Sequence, residues 1–286
     1  MTETAVLPFG ISQYSTLPQS FAEDLALYRT LGIPYIEVVE AKLDAGDPHV
    51  ELAELRNSEL RVSSVQPRVH SLFPDRTRPE PKMPKDRVAQ LRRTIELFGP
   101  LFPGATLVTV TGAVPNGDFV YAYRTAATEY REMAKIAADH NVRLALEPLN
   151  PVLMNTDTFI CSLPQGARII DAVDHPSFGI FLDLWHFWDD SGAIEQITKL
   201  RGRIFGVHIS DWRTPRAFGD RYLPGDGEIP LVPLLKTIRD TGYSGAYIME
   251  VFSELRLEGS LWANPCRTVR AGKEAFAKLW EQVCAD

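Results

Sequence analysis

ATLVTVT at residues 105–111, YAYRTAATEYREMAKIAADH at 121–140 and VRLALE at 142–147 decide the fold. The first and third segments are short, apolar and rich in β-branched residues, as buried strands are. The longer middle segment is rich in Ala, Glu, Met and Lys and has the spacing of a helix. A strand, a helix and a second strand in this order predict a parallel pair joined by a right-handed crossover.

The same alternation recurs eight times along the chain of 286 residues. The strand-like runs lie at 6–12, 35–39, 61–69, 105–111, 142–147, 178–183, 204–209 and 246–251, each followed by a helical pattern. Eight such units in roughly 250 residues or more are typical of an α/β (β/α)₈ TIM barrel, so we predict one TIM-barrel domain over residues 1–286. A doubly wound sheet is the competing fold. It calls for a glycine-rich turn after the first strand, whereas FGIS at 9–12 has one glycine.

Composition excludes several classes of protein. The chain has 30 basic and 37 acidic residues and a net charge of −7, which argues against a general nucleic-acid binder. No apolar run approaches the ~20 residues of a membrane span. The opening MTETA has no basic region followed by an apolar one, so we expect a cytoplasmic protein. The three cysteines form no CxxC pair, which argues against a zinc ribbon or a disulfide framework.

Charged side chains stand at the carboxyl ends of the last four predicted strands. They are Glu147, Asp183, His208 and Glu250. A charge within an apolar strand costs several kcal/mol unless it is paired or bound to a metal. Because parallel strands of a barrel end on one face, these four side chains are predicted to share one metal ion. Alternation along each strand predicts a deeper inward layer made of Ala145, Phe181, Gly206 and Ile248.

An ordered set of short motifs runs through the chain: LALEP at 144–148, LDLWH at 182–186, VHISD at 207–211, PGDGEI at 224–229 and MEVF at 249–252. No single motif is specific, but the ordered set resembles the xylose-isomerase-like TIM barrels. That family includes sugar isomerases and epimerases, inosose-processing enzymes and apurinic endonucleases. The resemblance implies that Glu147, Asp183, His208 and Glu250 bind one divalent metal ion. It also implies that the two glutamates serve as acid and base.

Substrate-binding residues are predicted from the resemblance and from position. The resemblance implies a substrate-binding role for His186 and a basic residue after the seventh strand, for which Arg213 or Arg216 is the candidate. His70 and Gln66, near the end of the third strand, are further candidates. The long irregular stretches 71–84 and 211–230 follow the third and seventh strands, and in a barrel they lie on the catalytic face. Asp211 is expected to cap its loop or support the ligands from behind.

The ligand types point to an ion and a reaction. Three carboxylates and one imidazole favour Mn²⁺ or Mg²⁺, with Zn²⁺ or Co²⁺ as alternatives. Such an ion can accept the carbonyl and hydroxyl oxygens of a hydroxyketone and stabilise the enediolate that forms when a carboxylate removes the neighbouring proton. We therefore predict an isomerase or epimerase of a keto-sugar or inosose. Inosose dehydratases and 3-keto-glycoside deglycosidases share this first step, so a lyase is the alternative.

The sequence also bears on two further classes of function. An endonuclease with three metal ions would need histidines that this chain lacks, because residues 109–112 read TVTG and residues 220–222 read DRY. One metal, a small carbohydrate substrate and no nucleic acid are therefore expected. A non-catalytic barrel that binds other chains is the second class. The segment 252–265 is apolar for a loop and predicts a lid or a subunit interface, hence a homo-oligomer, with a hetero-subunit as the alternative.

Overall fold

Parallel strands close into a barrel in sequence order, with the first strand paired to the last. The computed structural model describes residues 6–214, 220–256 and 259–285, and within them the barrel has eight strands and eight α-helices. The strands are β1 (Phe9–Ser12), β2 (Tyr35–Val39), β3 (Arg61–Gln66), β4 (Thr106–Thr109), β5 (Arg143–Leu146), β6 (Phe178–Asp183), β7 (Ile204–Ile209) and β8 (Tyr247–Met249). The helices are α1 (Phe21–Thr30), α2 (His49–Arg56), α3 (Pro84–Phe98), α4 (Phe119–Asp139), α5 (Leu163–Val173), α6 (Ala193–Lys199), α7 (Leu231–Asp240) and α8 (Pro265–Cys284). The predicted (β/α)₈ barrel is confirmed, and the closed sheet excludes the doubly wound alternative.

Local signals explain where the elements begin and end. Strand β3 was predicted to reach residue 69 but ends at Gln66, because Pro67 has no N–H to continue the ladder. Helix α4 begins two residues before its predicted start. The reason is Asp118, whose carboxylate accepts a hydrogen bond from the Tyr121 N–H at 2.9 Å and so caps the first turn.

Apolar side chains lie in the barrel interior beneath the carboxyl ends of the strands. Val108, Ala145 and Phe181 form a buried cluster there. Gly206 leaves room for Phe181, since a Cβ atom at Gly206 would overlap the Phe181 ring. The Phe181 ring also lies 4.4 Å from the His208 ring, centroid to centroid. Ala145, Phe181 and Gly206 of the predicted inward layer therefore lie in the barrel interior, with Phe181 packed against Gly206 and His208.

Helices cover the outside of the barrel. Phe276 of α8 stacks on Phe9 of β1 with a centroid distance of 5.2 Å, and Trp280 lies 5.0 Å from Tyr247 of β8. Through these contacts helix α8 covers the place where the first and last strands pair. None of the helices within the described ranges has both the length and the apolar character that a membrane crossing needs.

Asp211 organises the loop that follows β7. Its Oδ1 accepts hydrogen bonds from the backbone N–H groups of Trp212 and Ile229, and its Oδ2 accepts one from Gly225. Asp211 therefore caps the loop, which was one of the two roles predicted for it. The part of the loop at residues 215–219 lies outside the described residues.

Candidate metal centre

The four charged side chains predicted to share a metal meet at the carboxyl ends of the last four strands. Glu147, Asp183, His208 and Glu250 each offer one ligand atom, and these atoms lie within 4.8 Å of one another. The His208 Nδ1 atom is 3.5 Å from a Glu147 oxygen and 3.4 Å from a Glu250 oxygen. All four residues are buried. Strand ends thus position a set of four donors of the kind that hold a divalent ion.

The surroundings of His208 test whether a metal fits. Its Nε2 atom is 3.0 Å from both carboxylate oxygens of Glu37, so Nε2–H donates to that carboxylate. The Nδ1 atom faces the other three ligands and is buried with no hydrogen-bond partner among the described residues. A metal-binding histidine typically donates its second N–H to a carboxylate in this way. The residues present therefore fit a divalent ion.

Glu37 contacts the ligand cluster through His208 and was not identified by sequence analysis. It is fully buried, and its carboxylate accepts hydrogen bonds from Ser64 Oγ at 2.7 Å and from Gln66 Nε2 at 3.4 Å. The register of β2 against β3 shifts between Ile36 and Glu37. A signal was present, because YIEVV at 35–39 carries a carboxylate inside an apolar strand. Glu37 lies in the middle of its strand, and the sequence analysis considered charged residues only at strand ends.

Arg221 is the second residue that was missed. Its Nη1 atom is 2.8 Å from an Asp183 oxygen and 3.2 Å from a Glu250 oxygen. The guanidinium also lies over the rings of Trp185 and Phe252, at 4.9 and 5.0 Å from their centroids. Arg221 is a basic residue that follows β7 and was not among the two arginines named from the sequence.

The two arginines named from the sequence are placed differently. Arg213 donates from Nε to the backbone oxygen of Asp226 at 2.6 Å and lies over the Tyr222 ring. Arg216 lies outside the described residues. The loop bends back to bring Arg221 to the ligands, since Asp211 and Tyr222 exchange backbone hydrogen bonds of 2.9 and 3.0 Å. That pairing is a tertiary feature with no local signature.

The electrostatics of the cluster call for positive charge. Burial raises the pKa of Glu250 to about 8, although His208 and Arg221 oppose that rise. Burial also raises the pKa of Glu147. For Asp183 burial acts in the same direction, but Arg221, His186 and His208 outweigh it and lower the pKa to about 2. Burial lowers the pKa of His208, yet Glu250 and Glu37 raise it well above its ordinary value. Burial thus opposes the negative charge of Glu147 and Glu250, and a bound cation would favour that charge.

His186 lies beside the cluster. Its Nδ1 accepts a hydrogen bond from the backbone N–H of Asn150 at 3.1 Å, so in the neutral ring Nε2 carries the proton. That Nε2 atom is 3.3 Å from an Asp183 oxygen and 3.9 Å from a Glu147 oxygen. The side chain is buried, and its orientation is fixed from both ends. Its role as a substrate-binding residue stays a prediction.

A cavity of about 380 Å³ opens above the cluster. Its wall includes residues predicted from the sequence and one that was missed, namely Glu147, Glu250, His186, His70, Gln66 and Arg221. Pockets for small ligands are commonly of this size, about 300–1,000 Å³. The predicted acid and base and three of the predicted substrate-binding residues, His186, His70 and Gln66, therefore border one cavity, whereas Arg213 does not.

Known proteins share this architecture. A model of the xylose isomerase-like TIM barrel family matches residues 25–278. An inosose isomerase of Halalkalibacterium halodurans is 31% identical over 134 residues, covering 45% of this chain and 46% of that protein. The chain thus spans about half the length of this curated relative. A putative L-ribulose-5-phosphate 3-epimerase of Shigella dysenteriae is 25% identical over 270 residues, covering 87% and 88%.

Similarity to solved structures shows the same fold. The crystal structure of IOLI protein with a bound zinc atom superposes with a TM-score of 0.76 at 20% identity. The match covers 97% of this chain and 99% of that protein. At 20% identity this similarity shows that the two proteins share a fold.

Proposed function

Because this chain belongs to the xylose isomerase-like TIM barrel family, we propose that it is a divalent-metal-dependent isomerase or epimerase of a keto-sugar or inosose. The observation that carries the proposal is the set of four ligand atoms within 4.8 Å of one another at the base of a sugar-sized cavity. The names of the inosose isomerase and the ribulose-phosphate epimerase among its relatives agree with this chemistry.

Glu147 and Glu250 are the proposed base and acid. They flank His208 Nδ1 at 3.5 and 3.4 Å, and both line the cavity. One carboxylate takes the proton from the carbon next to the carbonyl, and the bonding electrons pass into an enediolate. The second, protonated, glutamate returns a proton to the same carbon from the other face, which is epimerisation. Return to the neighbouring carbon gives isomerisation instead.

Glu147, Asp183, His208 and Glu250 are the proposed ligands of the ion. A divalent ion held by them would act as a Lewis acid toward the substrate's carbonyl oxygen. Three carboxylates and one imidazole favour Mn²⁺ or Mg²⁺, with Zn²⁺ or Co²⁺ as alternatives. His186 and Gln66 border the cavity beside the ligands and are proposed to orient the hydroxyl groups of the substrate, and His70 is proposed to contact it from the third-strand side.

Hydrogen exchange tests the proposal directly. The metal-loaded protein is incubated in D₂O with inososes, ketoses and 3-keto-glycosides, and NMR follows deuterium entering the carbon next to the carbonyl. Glu147→Gln and Glu250→Gln keep the size of each side chain but remove the base, so we expect each to lose about 10²–10⁴-fold in turnover. Glu132→Gln makes the same change on the exposed surface of α4 and is the matched control.

The outcomes separate the proposed reaction from its alternatives. Exchange with an epimerised or isomerised product supports the proposal. Exchange followed by loss of water or of a glycosyl group identifies a lyase of the same family. Metal-dependent nicking of abasic DNA, with no exchange into any sugar, would replace the proposal with the endonuclease branch.

We further propose that residues 1–286 act as one catalytic domain in the cytoplasm and that copies of the chain associate, with a hetero-subunit as the alternative. The apolar segment at 252–265 supports the association: Leu255 is 60% exposed. Light scattering of the purified protein gives the mass of the assembly. A mass equal to one chain of 32.0 kDa at micromolar concentration would contradict it.

A further inference from the structure

A second arginine borders the cavity from the loop that joins β3 to α3. The Arg78 guanidinium donates from Nη2 to the Tyr14 hydroxyl at 3.0 Å and from Nη1 to Thr77 Oγ1 at 3.2 Å. Its Nη1 also lies 3.3 Å from His70 Nε2. Arg78, Tyr14, Thr77 and His70 all line the same cavity as Glu147 and Glu250. The guanidinium therefore lies in the wall of the proposed substrate site.

The Arg78 guanidinium has no carboxylate partner among the described residues. Its three contacts are neutral, because Tyr14 and Thr77 carry no charge and burial together with Arg78 lowers the pKa of His70 to about 3. No carboxylate in the described part of the chain forms an ion pair with Arg78. The neighbouring Arg76 has such a partner, since its Nε is 3.7 Å from Asp157. Arginine is the residue of choice where a planar group of oxygen atoms is recognised, so a guanidinium in a cavity wall without a carboxylate partner among the described residues favours an anionic ligand.

The loop holds Arg78 in place by contacts that leave its guanidinium free for a ligand. The Asp75 carboxylate accepts hydrogen bonds from the backbone N–H groups of Thr77 and Arg78, at 2.8 and 2.6 Å. Behind them the buried Arg87 donates to the backbone oxygens of Ser71, Arg78 and Pro81 at 2.7 to 3.1 Å. The backbone that carries Arg78 is therefore fixed before any ligand binds.

The donor count of Arg78 shows what remains available. A guanidinium has five N–H groups, and three of them face Tyr14, Thr77 and His70. The remaining two are the Nε–H and one Nη2–H. Carboxylate and phosphate oxygens accept charge-assisted hydrogen bonds from N–H groups of this kind. By contrast, Arg68 uses its guanidinium on the backbone oxygens of Glu40 and Leu43, as a structural arginine does.

We propose that Arg78 binds a carboxylate or phosphate group of the substrate, so that this protein acts on an acidic sugar derivative in preference to a neutral sugar. This inference rests on the proposed function, because it assigns the substrate class of the same cavity. Arg78 provides affinity and selection, whereas Glu147 and Glu250 carry out the chemistry. A carboxylate and a phosphate present the same fork of oxygen atoms, and the experiment distinguishes them.

The first test needs no turnover. Inorganic phosphate is titrated into the metal-loaded protein by calorimetry, and the titration is repeated with Arg78→Gln and Arg78→Lys. We expect Arg78→Gln to weaken phosphate binding about 10-fold or more, with the lysine variant in between because it keeps the charge but loses the fork. Arg92→Gln removes the same charge from the exposed surface of α3 and should leave phosphate binding unchanged. Equal phosphate affinity in the wild type and in Arg78→Gln would overturn the proposal.

The second test compares matched substrates in the deuterium-exchange assay. The pairs are D-ribulose with D-ribulose 5-phosphate, and D-tagatose with D-tagaturonate. We expect Arg78→Gln to raise KM about 10- to 100-fold for the acidic member that is the true substrate type, with kcat and the neutral sugar affected less than about 3-fold. The pair in which only the acidic sugar loses affinity shows whether Arg78 binds a phosphate or a carboxylate group. Equal effects on both members of both pairs would refute the assignment. If no sugar exchanges at all, the proposed function fails, and the phosphate titration still decides the role of Arg78.

Discussion

The two sides of the cavity differ in how an arginine is used. On the side built by β6 and β8, Arg221 lies between Asp183 and Glu250, at 2.8 and 3.2 Å from their oxygens. On the side built by the loop after β3, the Arg78 guanidinium forms hydrogen bonds only with neutral side chains among the described residues. Arg221 balances the negative charge of the metal ligands, whereas Arg78 is proposed to bind an anionic group of the substrate. The difference separates the part of the site that would hold a metal from the part that would select a substrate.

The largest effect on stability is expected where charges are paired and buried. In metal-free protein, Arg221→Gln removes the buried guanidinium that is ion-paired with both Asp183 and Glu250 and should lower the free energy of unfolding by about 3 to 5 kcal/mol. Arg78→Gln removes no ion pair and should cost less than about 1 kcal/mol. Urea unfolding in the presence of EDTA measures both values. Similar losses in the two variants would remove the distinction between the two sides.

A smaller effect is expected behind the metal ligands. Glu37→Gln weakens the acceptor of the His208 Nε2–H bond and should reduce Mn²⁺ affinity about 10- to 100-fold, since supporting carboxylates of this kind tune their histidines. Glu40→Gln is the matched control. Its carboxylate accepts from the Arg68 N–H at 2.7 Å and from Thr94 Oγ1 at 2.8 Å, outside the ligand cluster. Metal titration by calorimetry gives both affinities, and an unchanged value for Glu37→Gln would show that His208 needs no such support.

The smallest effect concerns His70 in acid. Its folded pKa of about 3 lies below the ordinary value of 6.5, because burial and the charges of Arg78 and Arg87 outweigh Asp75. Below pH 6.5, His70 binds a proton in the unfolded chain but not in the folded chain. The free energy of unfolding therefore falls as the pH falls toward 3. Between about pH 7.5 and 5.5 the wild type should lose about 1 kcal/mol more than His70→Gln. Chemical unfolding at both pH values measures the difference, and parallel losses would show that His70 titrates normally.

The sequence predicted more of one side of the cavity than of the other, for a physical reason. Glu147, Asp183, His208 and Glu250 each stand at the end of an apolar strand, where a charge is conspicuous and where parallel strands of a barrel must converge. The repeat of eight strand and helix units likewise predicted the barrel from local patterns alone.

The residues that were missed depend on tertiary contacts. Glu37 reaches the site from the middle of β2, and its partner His208 is 171 positions away along the chain. Arg221 is brought to the ligands by a loop that folds back on Asp211. Arg78 lies in a polar loop that contains other arginines and several prolines. What distinguishes it is that its guanidinium contacts neutral side chains, which only the structure shows. Neither strand periodicity nor motif spacing records such contacts.

Metal content tests the central claim most directly. The protein is purified without chelators and analysed by inductively coupled plasma mass spectrometry, beside the Asp183→Ala and His208→Ala variants. We predict about one divalent ion per chain in the wild type and a large loss in both variants, because each removes one of four ligands. A folded wild-type protein that carries no divalent ion and takes none up, or variants that keep the full amount, would contradict the account.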